Sequence, residues 1–206
     1  MFGKLANIAW TNKGPILVDD VERERIKSYE TSTPLVITHV DKFPYLVNYH
    51  VPSGTRIASG SQVRLGAHLA VGTTIMPAGY VNFNAGTLGN AMIEGRVSAG
   101  VVVGENSDVG GGASIMGTLS GGNKDVISIG QSCLLGANAG TGISMGDGCT
   151  IAAGLYIYAG MKISLYNKDN NPVDLAGNVV DQGMNIVKAK ELSGKSYLLF
   201  IQDSQT

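Results

Sequence analysis

Residues 97–115 read VSAGVVVGENSDVGGGASI and place an aliphatic residue at every sixth position. These positions are Val97, Val103, Val109 and Ile115. A spacing of six fits neither an α-helix, with a period of about 3.6, nor a hairpin meander, with turns every 8 to 12 residues or so. It is typical of a β-solenoid in which three hexads make one coil, with aliphatic residues pointing inward and small residues at the corners. The stretch therefore predicts a mainly β protein built around a left-handed parallel β-helix.

The same spacing recurs in three further runs along the chain. They are Leu65 and Val71; Ile129 and Leu135; and Met145, Ile151, Ile157 and Ile163. The pattern slips twice, because 14 residues separate Ile115 from Ile129 and ten separate Leu135 from Met145. Slips in solenoids are usually loops on one face, often the binding face. We therefore expect loops across LSGGNKDV and across ANAGTG.

Composition supports this fold and excludes several classes of function. Residues 65–160 contain 22 of the 29 glycines, so a fixed turn geometry recurs there. The 15 basic and 16 acidic groups give a net charge of −1, which argues against a nucleic-acid or membrane partner. No apolar run approaches the 18 or so residues of a spanning helix. Two cysteines and a first segment unlike a signal peptide favour a reducing cytoplasm.

The flanks of the repeat region predict smaller units. A charged segment from Asp19 to Tyr29 is compatible with a helix, and Leu35 to Val40 indicates a strand. After Leu165, a polar segment with turn residues precedes MNIVKAKELSG and SYLLFIQ, which predict two short strands, or a strand and a turn, outside the hexad pattern. We expect a small α/β N-terminal cap over 1–50, the β-helix over 51–166 and a short C-terminal β extension over 167–206.

Several apparent motifs do not fit known chemistry. GENSDVGGG at 104–112 would have to open a helix to bind a dinucleotide, yet the hexads run through it, and GGNK at 121–124 lacks the P-loop spacing. The histidines do not share a metal-binding spacing, which argues against a zinc enzyme and predicts ordinary roles for them: His39, His50 and His68. Cys133 and Cys149 are expected to be buried small residues of the core.

Glu94 and Arg96, in MIEGRVS, form the most suggestive pair. Alternate residues of a strand project to the same side, so a carboxylate and a guanidinium are expected side by side. Such a pair suits acid/base or acyl-transfer chemistry on an anionic substrate, with the arginine holding a carboxylate through two hydrogen bonds. A solvated surface ion pair is the alternative.

A longer stretch, from YVNFNAGTLGNAMIEGRVSAG to YIYAGMKIS at 80–164, resembles the catalytic core of the tetrahydrodipicolinate N-succinyltransferase family, in its form with EGR and GGGAS motifs. Similarity extends from FGKLANIAW through VDKFP and VPSGTRI to KELSG and LLF. Members of the family carry an additional N-terminal domain without a counterpart here, so a truncated or a short natural version is expected.

The resemblance implies transfer of a succinyl group from succinyl-CoA, the co-substrate, to the amino group of ring-opened tetrahydrodipicolinate in lysine and diaminopimelate biosynthesis. It implies a homotrimer with active sites between subunits and no permanently bound cofactor. Glu94 matches the family's catalytic carboxylate, either an anhydride-forming nucleophile or a general base. Arg96 matches a contact to acyl-CoA or to a substrate carboxylate. Further CoA contacts fall on Gly111, Ser114, Ala137, Ala153, Gly160, Lys188 and Ser204.

The sequence departs from the family pattern at several positions. Ser61 and Ala78 stand where acidic residues are tied to a magnesium site, so no metal is predicted. Ile201 and Gln202 replace a pair of arginines that would hold CoA phosphates, and Ala152 replaces a common acidic residue. These changes leave two alternatives: an acyl-CoA transferase of the same class with another donor or acceptor, such as acetyl-CoA, or a non-catalytic trimeric scaffold.

Overall fold

The computed structural model describes residues 2–120 and 124–203. At the N-terminus, strands β1 (Ile8–Thr11), β2 (Gly14–Leu17) and β3 (Ile37–Asp41) form an antiparallel sheet in the order β2-β1-β3. Helix α1 (Val21–Ser28) connects β2 to β3, with Glu22 and Glu24 in its first turn and Arg25 and Lys27 in its last, the charge order that a helix dipole favours. The predicted helix is confirmed with shorter bounds, and the predicted strand is confirmed but starts at Ile37 and ends one residue later than expected, at Asp41.

From Arg56 onward, short strands recur in three parallel sheets, which we call sheets I, II and III. Sheet I contains β4 (Arg56–Ile57), β5 (Thr74–Ile75), β8 (Ala91–Ile93), β11 (Ser107–Val109), β14 (Leu134–Leu135), β16 (Thr150–Ile151) and β20 (Leu199–Phe200). Sheet II contains β6 (Tyr80–Val81), β9 (Arg96–Val97), β12 (Ser114–Ile115), β15 (Gly140–Thr141) and β17 (Tyr156–Ile157). Sheet III contains β7 (Gly86–Thr87), β10 (Val102–Val103) and β13 (Ser128–Ile129).

From β5 to β13 the chain visits sheets I, II and III in turn, and each strand pairs in parallel with the strand one coil later. Val103, for example, lies opposite Thr87 in the preceding coil and Ile129 in the following one. Short strands that recur at hexapeptide spacing and pair in parallel agree with the prediction from the repeat.

The core is the row of inward residues between the three sheets. The inward positions predicted within residues 97–115 are confirmed, because Val97, Val103, Val109 and Ile115 have no exposed surface. Buried aliphatic residues of the later runs continue this core: Ile129, Leu135, Met145, Ile151 and Ile157. Thr87 and Thr141 take inward positions too, and the Thr87 hydroxyl is satisfied by Thr73 at 2.7 Å.

The predicted phase of the first run is wrong. Val71 is 71% exposed, and the inward positions are instead Val63, Leu69, Ile75 and Val81. Gly66 and Gly72 have φ of +96° and +88°, so the aliphatic–glycine pairs at Leu65 and Val71 lie at corners. A spacing of six holds equally for corner and core positions, and so spacing alone does not fix the phase.

The two slips in the hexad pattern have different causes. The first is a loop, in which Thr118 and Val126 form an antiparallel bridge and the Leu119 N–H donates to the Asp125 carbonyl at 2.9 Å. Its tip, 121–123, lies outside the described residues. The second slip is not a loop, because the chain reaches Met145 only four residues after Thr141 by a tightened corner that buries Ile143.

The C-terminal segment extends the parallel sheets, which corrects the expectation that SYLLFIQ lies outside the repeat pattern. Strand β20 adds to sheet I, with Leu199 opposite Thr150 and Phe200 opposite Ile151. Before it, β18 (Lys162–Ser164) and β19 (Ile186–Lys188) form an antiparallel pair. Among the described residues, no helix has the length and apolar character needed to span a membrane.

Candidate functional site

Glu94 lies at an unusually short corner. Only Glu94 and Gly95 separate β8 from β9, whereas four residues, Gly110 to Ala113, separate β11 from β12 in the next coil. The Glu94 N–H donates to the Val109 carbonyl at 2.7 Å, and its own carbonyl accepts from the Gly112 N–H at 3.2 Å. A Cβ at Gly95 would collide with the Ala113 carbonyl oxygen. The corner therefore needs glycine after Glu94 and holds the backbone of Glu94 firmly.

Small residues continue the line of Glu94 along the same edge between sheets I and II. Backbone hydrogen bonds connect the successive corners, from Asn138 N–H to the Gly111 carbonyl at 2.9 Å and from Gly154 N–H to the Ala137 carbonyl at 2.8 Å. One predicted site residue per coil thus comes onto this edge, which we call the edge column: Glu94, Gly111, Ala137 and Ala153. With coils about 4.8 Å apart, the column is roughly 15 Å long.

The Glu94 carboxylate stands at the head of the edge column and is half-buried. The position of a Cβ on Gly111 would lie 3.4 Å from Glu94 Oε2, so the absence of a side chain at Gly111 leaves space beside the carboxylate. Among the described residues, its oxygens take part in no ion pair. They are thus available to accept a proton or to attack an electrophile.

Arg96 lies on β9 in sheet II, opposite Tyr80 in the preceding coil and Ser114 in the following one. Its side chain is exposed, and within the described part of the chain it forms no salt bridge with Glu94. The alternative interpretation, a solvated surface ion pair, is therefore wrong. Glu94 belongs to the corner and Arg96 to the strand, so the alternation of a regular strand does not relate them.

Arg96 and six other residues line a groove of about 410 Å³. Its lining is completed by Ser98, Met116, Gly117, Thr118, Leu119 and Ser120. The Ser98 hydroxyl is used internally, since it donates to the Ile115 carbonyl at 2.6 Å. Among the described residues of this lining, Arg96 is the single ionisable group, so the groove favours an anion. The motif search missed the loop wall of this groove, although the slip after Ile115 indicated it.

The remaining predicted contacts lie away from the edge column. Gly160 follows β17 and is exposed, and Lys188 ends β19 opposite Lys162. The two segments run together, because the Lys190 N–H donates to the Ala159 carbonyl at 3.1 Å. Ser114 is adjacent to Arg96 on sheet II. Ser204 lies outside the described residues.

Other reactive side chains have structural roles. Cys133 and Cys149 are buried as predicted, and burial raises the pKa of the Cys133 thiol. The His39 ring stacks on Tyr45 with 3.7 Å between ring centroids, which fits the ordinary role predicted for this histidine. Across residues 2–120 and 124–203, no three histidine, cysteine or acidic side chains are grouped to hold a metal ion.

Two family models match the chain. The model described as "Tetrahydrodipicolinate N-succinyltransferase middle" matches residues 5–45, which contain the N-terminal antiparallel sheet and helix α1. The model described as "Hexapeptide repeat of succinyl-transferase" matches residues 126–159, in the parallel sheets. The first of these covers a part of the chain that the hexad pattern does not reach.

Relatives that match the whole of this chain are also named as N-succinyltransferases. The chain is 54% identical over 206 residues to a 2,3,4,5-tetrahydropyridine-2,6-dicarboxylate N-succinyltransferase of Vibrio cholerae, and 49% identical over 205 residues to that of Pseudomonas aeruginosa. All of the chain matches in both cases, with 57% and 56% of the relatives. The chain thus spans little more than half the length of these relatives.

A solved structure agrees with the sequence comparison. It is that of a Campylobacter jejuni protein assigned as a 2,3,4,5-tetrahydropyridine-2-carboxylate N-succinyltransferase, 44% identical, with a TM-score of 0.85 over 99% of this chain and 54% of that one. Agreement in sequence and in backbone extends over both the cap and the parallel sheets. The chain is therefore similar over its whole length to proteins named 2,3,4,5-tetrahydropyridine-2,6-dicarboxylate N-succinyltransferase, of which it spans little more than half.

Proposed function

We propose that this chain transfers a succinyl group from succinyl-CoA to the amino group of ring-opened tetrahydrodipicolinate, in lysine and diaminopimelate biosynthesis. One observation carries the proposal: a half-buried Glu94 carboxylate without an ion-pair partner in the described structure stands beside Gly111 at the head of the edge column. The 54% identity to the V. cholerae N-succinyltransferase supports this choice of reaction.

The edge column is the proposed path of the pantetheine arm of CoA. Gly111, Ala137 and Ala153 present backbone and little side chain along this edge, which allows a slender chain to lie close against it. Ser114, Gly160 and Lys188 are further proposed contacts, from sheet II and from the segments after it. This path places the thioester at the Glu94 end of the column.

The chemistry proposed for Glu94 starts from its unpaired oxygens. As a general base, the carboxylate removes a proton from the substrate nitrogen while that nitrogen attacks the thioester carbonyl carbon. The new C–N bond forms, the C–S bond breaks, and the proton passes from Glu94 to the departing CoA thiolate. As a nucleophile, the carboxylate instead attacks the thioester, forms a mixed anhydride and releases the CoA thiolate. The amine then attacks the succinyl carbonyl of the anhydride, which frees the carboxylate, and the proton lost by the nitrogen goes to the thiolate. Both routes use the same position of Glu94.

Arg96 is the proposed partner of a carboxylate. Its guanidinium is free of acidic partners among the described residues and can bind a carboxylate through two parallel hydrogen bonds. Succinyl-CoA and the acceptor both carry free carboxylates. The groove lined by Arg96 would orient one of them.

The proposed assembly is a homotrimer of left-handed β-helices with active sites between subunits, working in the cytoplasm without a permanently bound cofactor. The proposed division is a cap over 1–50, the β-helix over 51–166 and an extension over 167–206. Light scattering on the purified chain should give the mass of three 21.4 kDa subunits. A monomer mass would contradict the proposed sites between subunits.

The proposed reaction is tested by release of the CoA thiol. Thiol release from succinyl-CoA should depend on tetrahydrodipicolinate and should exceed release from acetyl-CoA under the same conditions. Faster turnover of acetyl-CoA would replace the proposed donor. Absence of acceptor-dependent release from either donor would overturn the proposal.

A further inference from the structure

The loop after Ile115 is fastened to two later coils by a single serine. The Ser120 N–H donates to the Gly142 carbonyl at 3.0 Å, in the corner after β15. The Ser120 hydroxyl oxygen accepts from the Ala159 N–H at 2.7 Å, in the corner after β17. These bonds hold the loop against the corners that follow β15 and β17, and Thr118, Leu119 and Ser120 line the groove together with Arg96.

Gly142 makes this arrangement possible by its lack of a side chain. A Cβ there would lie 2.8 Å from Met116 Sδ and 2.9 Å from Ser120 Oγ. Both contacted residues line the groove. Gly142 is not among the residues with positive φ, so the requirement is for space rather than for backbone conformation. The contact at Gly142 thus sets how closely the loop approaches the sheet.

We propose that Ser120 is a positioning residue, which fixes the loop wall of the groove relative to Arg96, and that this groove takes a free carboxylate of the dicarboxylate substrate. The inference rests on the proposed function and deepens it. Arg96 supplies the charge, and a wall held by two hydrogen bonds keeps the site preorganised, which lowers the entropic cost of binding. Loss of the Ser120 hydroxyl leaves the Ala159 N–H without its acceptor and loosens the wall, which then keeps only the bond from the Ser120 N–H to Gly142.

Binding of simple dicarboxylates to the full chain tests the inference, with succinate and pimelate as probes in titration calorimetry. Arg96→Met identifies the probe that needs the guanidinium. For that probe, Ser120→Ala should raise Kd by about tenfold, as expected when a preorganised site loosens. In the Arg96→Met background, Ser120→Ala should change Kd by less than about twofold, because coupled residues are not additive. Equal effects in both backgrounds would overturn the positioning role.

Two further variants separate positioning from general damage. Ser164→Ala removes an exposed hydroxyl on β18 and should leave both Kd and Tm unchanged. Gly142→Ala keeps Ser120 but pushes it outward, and it should weaken the same probe even if Ser120→Ala folds poorly. An unchanged Kd in Gly142→Ala would contradict the inference. So would a raised Kd for a probe whose binding does not depend on Arg96.

The binding test is independent of turnover. A wild-type chain that binds the probe through Arg96 and Ser120, yet releases no thiol from succinyl-CoA, would disprove the proposed reaction and leave the groove assignment intact. Normal thiol release with Kd and KM unchanged in Ser120→Ala would disprove the groove assignment alone. Absence of Arg96-dependent binding of either probe would overturn the carboxylate site.

Discussion

Glu94 is positioned by a corner two residues shorter than those in the adjacent coils. Met76 to Gly79 fill the equivalent corner before it, and Gly110 to Ala113 fill the one after it. In the next coil, Gly111 lies beside the Glu94 carboxylate. A Cβ on Gly111 would lie 3.4 Å from Glu94 Oε2. At the scale of the residue, the site is therefore the Glu94 carboxylate and the space left beside it by the missing side chain of Gly111.

Filling the space beside Glu94 should impair catalysis without unfolding the chain. Gly111→Ala adds a Cβ at 3.4 Å from Glu94 Oε2, which is ordinary contact distance. Gly111→Val adds two more methyl groups, which we expect to displace the carboxylate. We expect kcat/KM to fall by about 100-fold in Gly111→Val, as for a misplacement of about 1 Å, and to change little in Gly111→Ala. The measurement is acceptor-dependent thiol release, with Tm as the check on folding. Equal activity of the two variants would show that the space is not used.

The residues of this site were partly predictable from sequence. EGR singled out Glu94 and Arg96, because an acid and a base stand together in an otherwise uncharged stretch. The absence of an ion pair between them was not predictable, since the pattern of a regular strand was applied across a two-residue corner. The role of Ser120 was also hidden, because both of its partners, Gly142 and Ala159, lie in later coils.

At the scale of the element, the edge between sheets I and II depends on a left-handed residue in three successive corners. These are Gly112, Asn138 and Gly154, with φ of +72°, +57° and +74°. Glycine adopts this conformation freely, and asparagine tolerates it better than other residues. The corners stack closely, since a Cβ at Gly112 would collide with Asn138 Oδ1. The edge column therefore rests on both backbone conformation and close approach.

A pair of substitutions should separate conformation from contact at this edge. Gly112→Ala should lower the free energy of unfolding by about 1–2 kcal/mol for the left-handed conformation alone, plus the cost of the collision with Asn138. Asn138→Gly should be nearly neutral alone and should recover the collision part in the double variant. Urea unfolding of the four proteins measures the coupling. Strict additivity would show that the contact contributes nothing.

Hexad spacing predicted the elements better in some runs than in others. Val97 to Ile115 identified core positions correctly, because the aliphatic residues there are inward and the small residues between them are at corners. In the first run the same spacing marked corners, at Gly66 and Gly72, while the core row began at Val63. Core threonines such as Thr87 interrupt the aliphatic row, and their buried hydroxyls are satisfied by partners that sequence does not show.

At the scale of the whole molecule, the last strand closes onto the repeat. Phe200 packs into the core next to Ile151 by joining sheet I, 49 residues later in the chain. No local pattern predicts this pairing, because the intervening segment departs to form the β18–β19 pair. The Cys149 thiol, just before β16, donates to the Lys195 carbonyl at 3.2 Å and helps to hold the returning segment.

Stability of the whole molecule should fall at alkaline pH in a way that depends on Cys133. Burial raises the pKa of this thiol above its value in the unfolded chain, about 8.5. Below that pH both states hold the proton and the thiol has no effect on pH dependence. As the pH rises through that value, the unfolded state loses its proton first and is favoured, so the free energy of unfolding falls. Urea unfolding of wild type and Cys133→Ala should show a steeper fall for wild type. Parallel curves would contradict this assignment.

The most direct test of the central claim compares thiol release by Glu94→Gln with that of wild type, in the presence of succinyl-CoA and tetrahydrodipicolinate. Glu105→Gln, an exposed glutamate at a different corner, is the matched control. Replacing the carboxylate by an amide removes the base and the nucleophile while keeping size, so kcat should fall by about 100-fold or more, with unchanged Tm and full activity in Glu105→Gln. Activity of Glu94→Gln within a few-fold of wild type would contradict the catalytic role of Glu94.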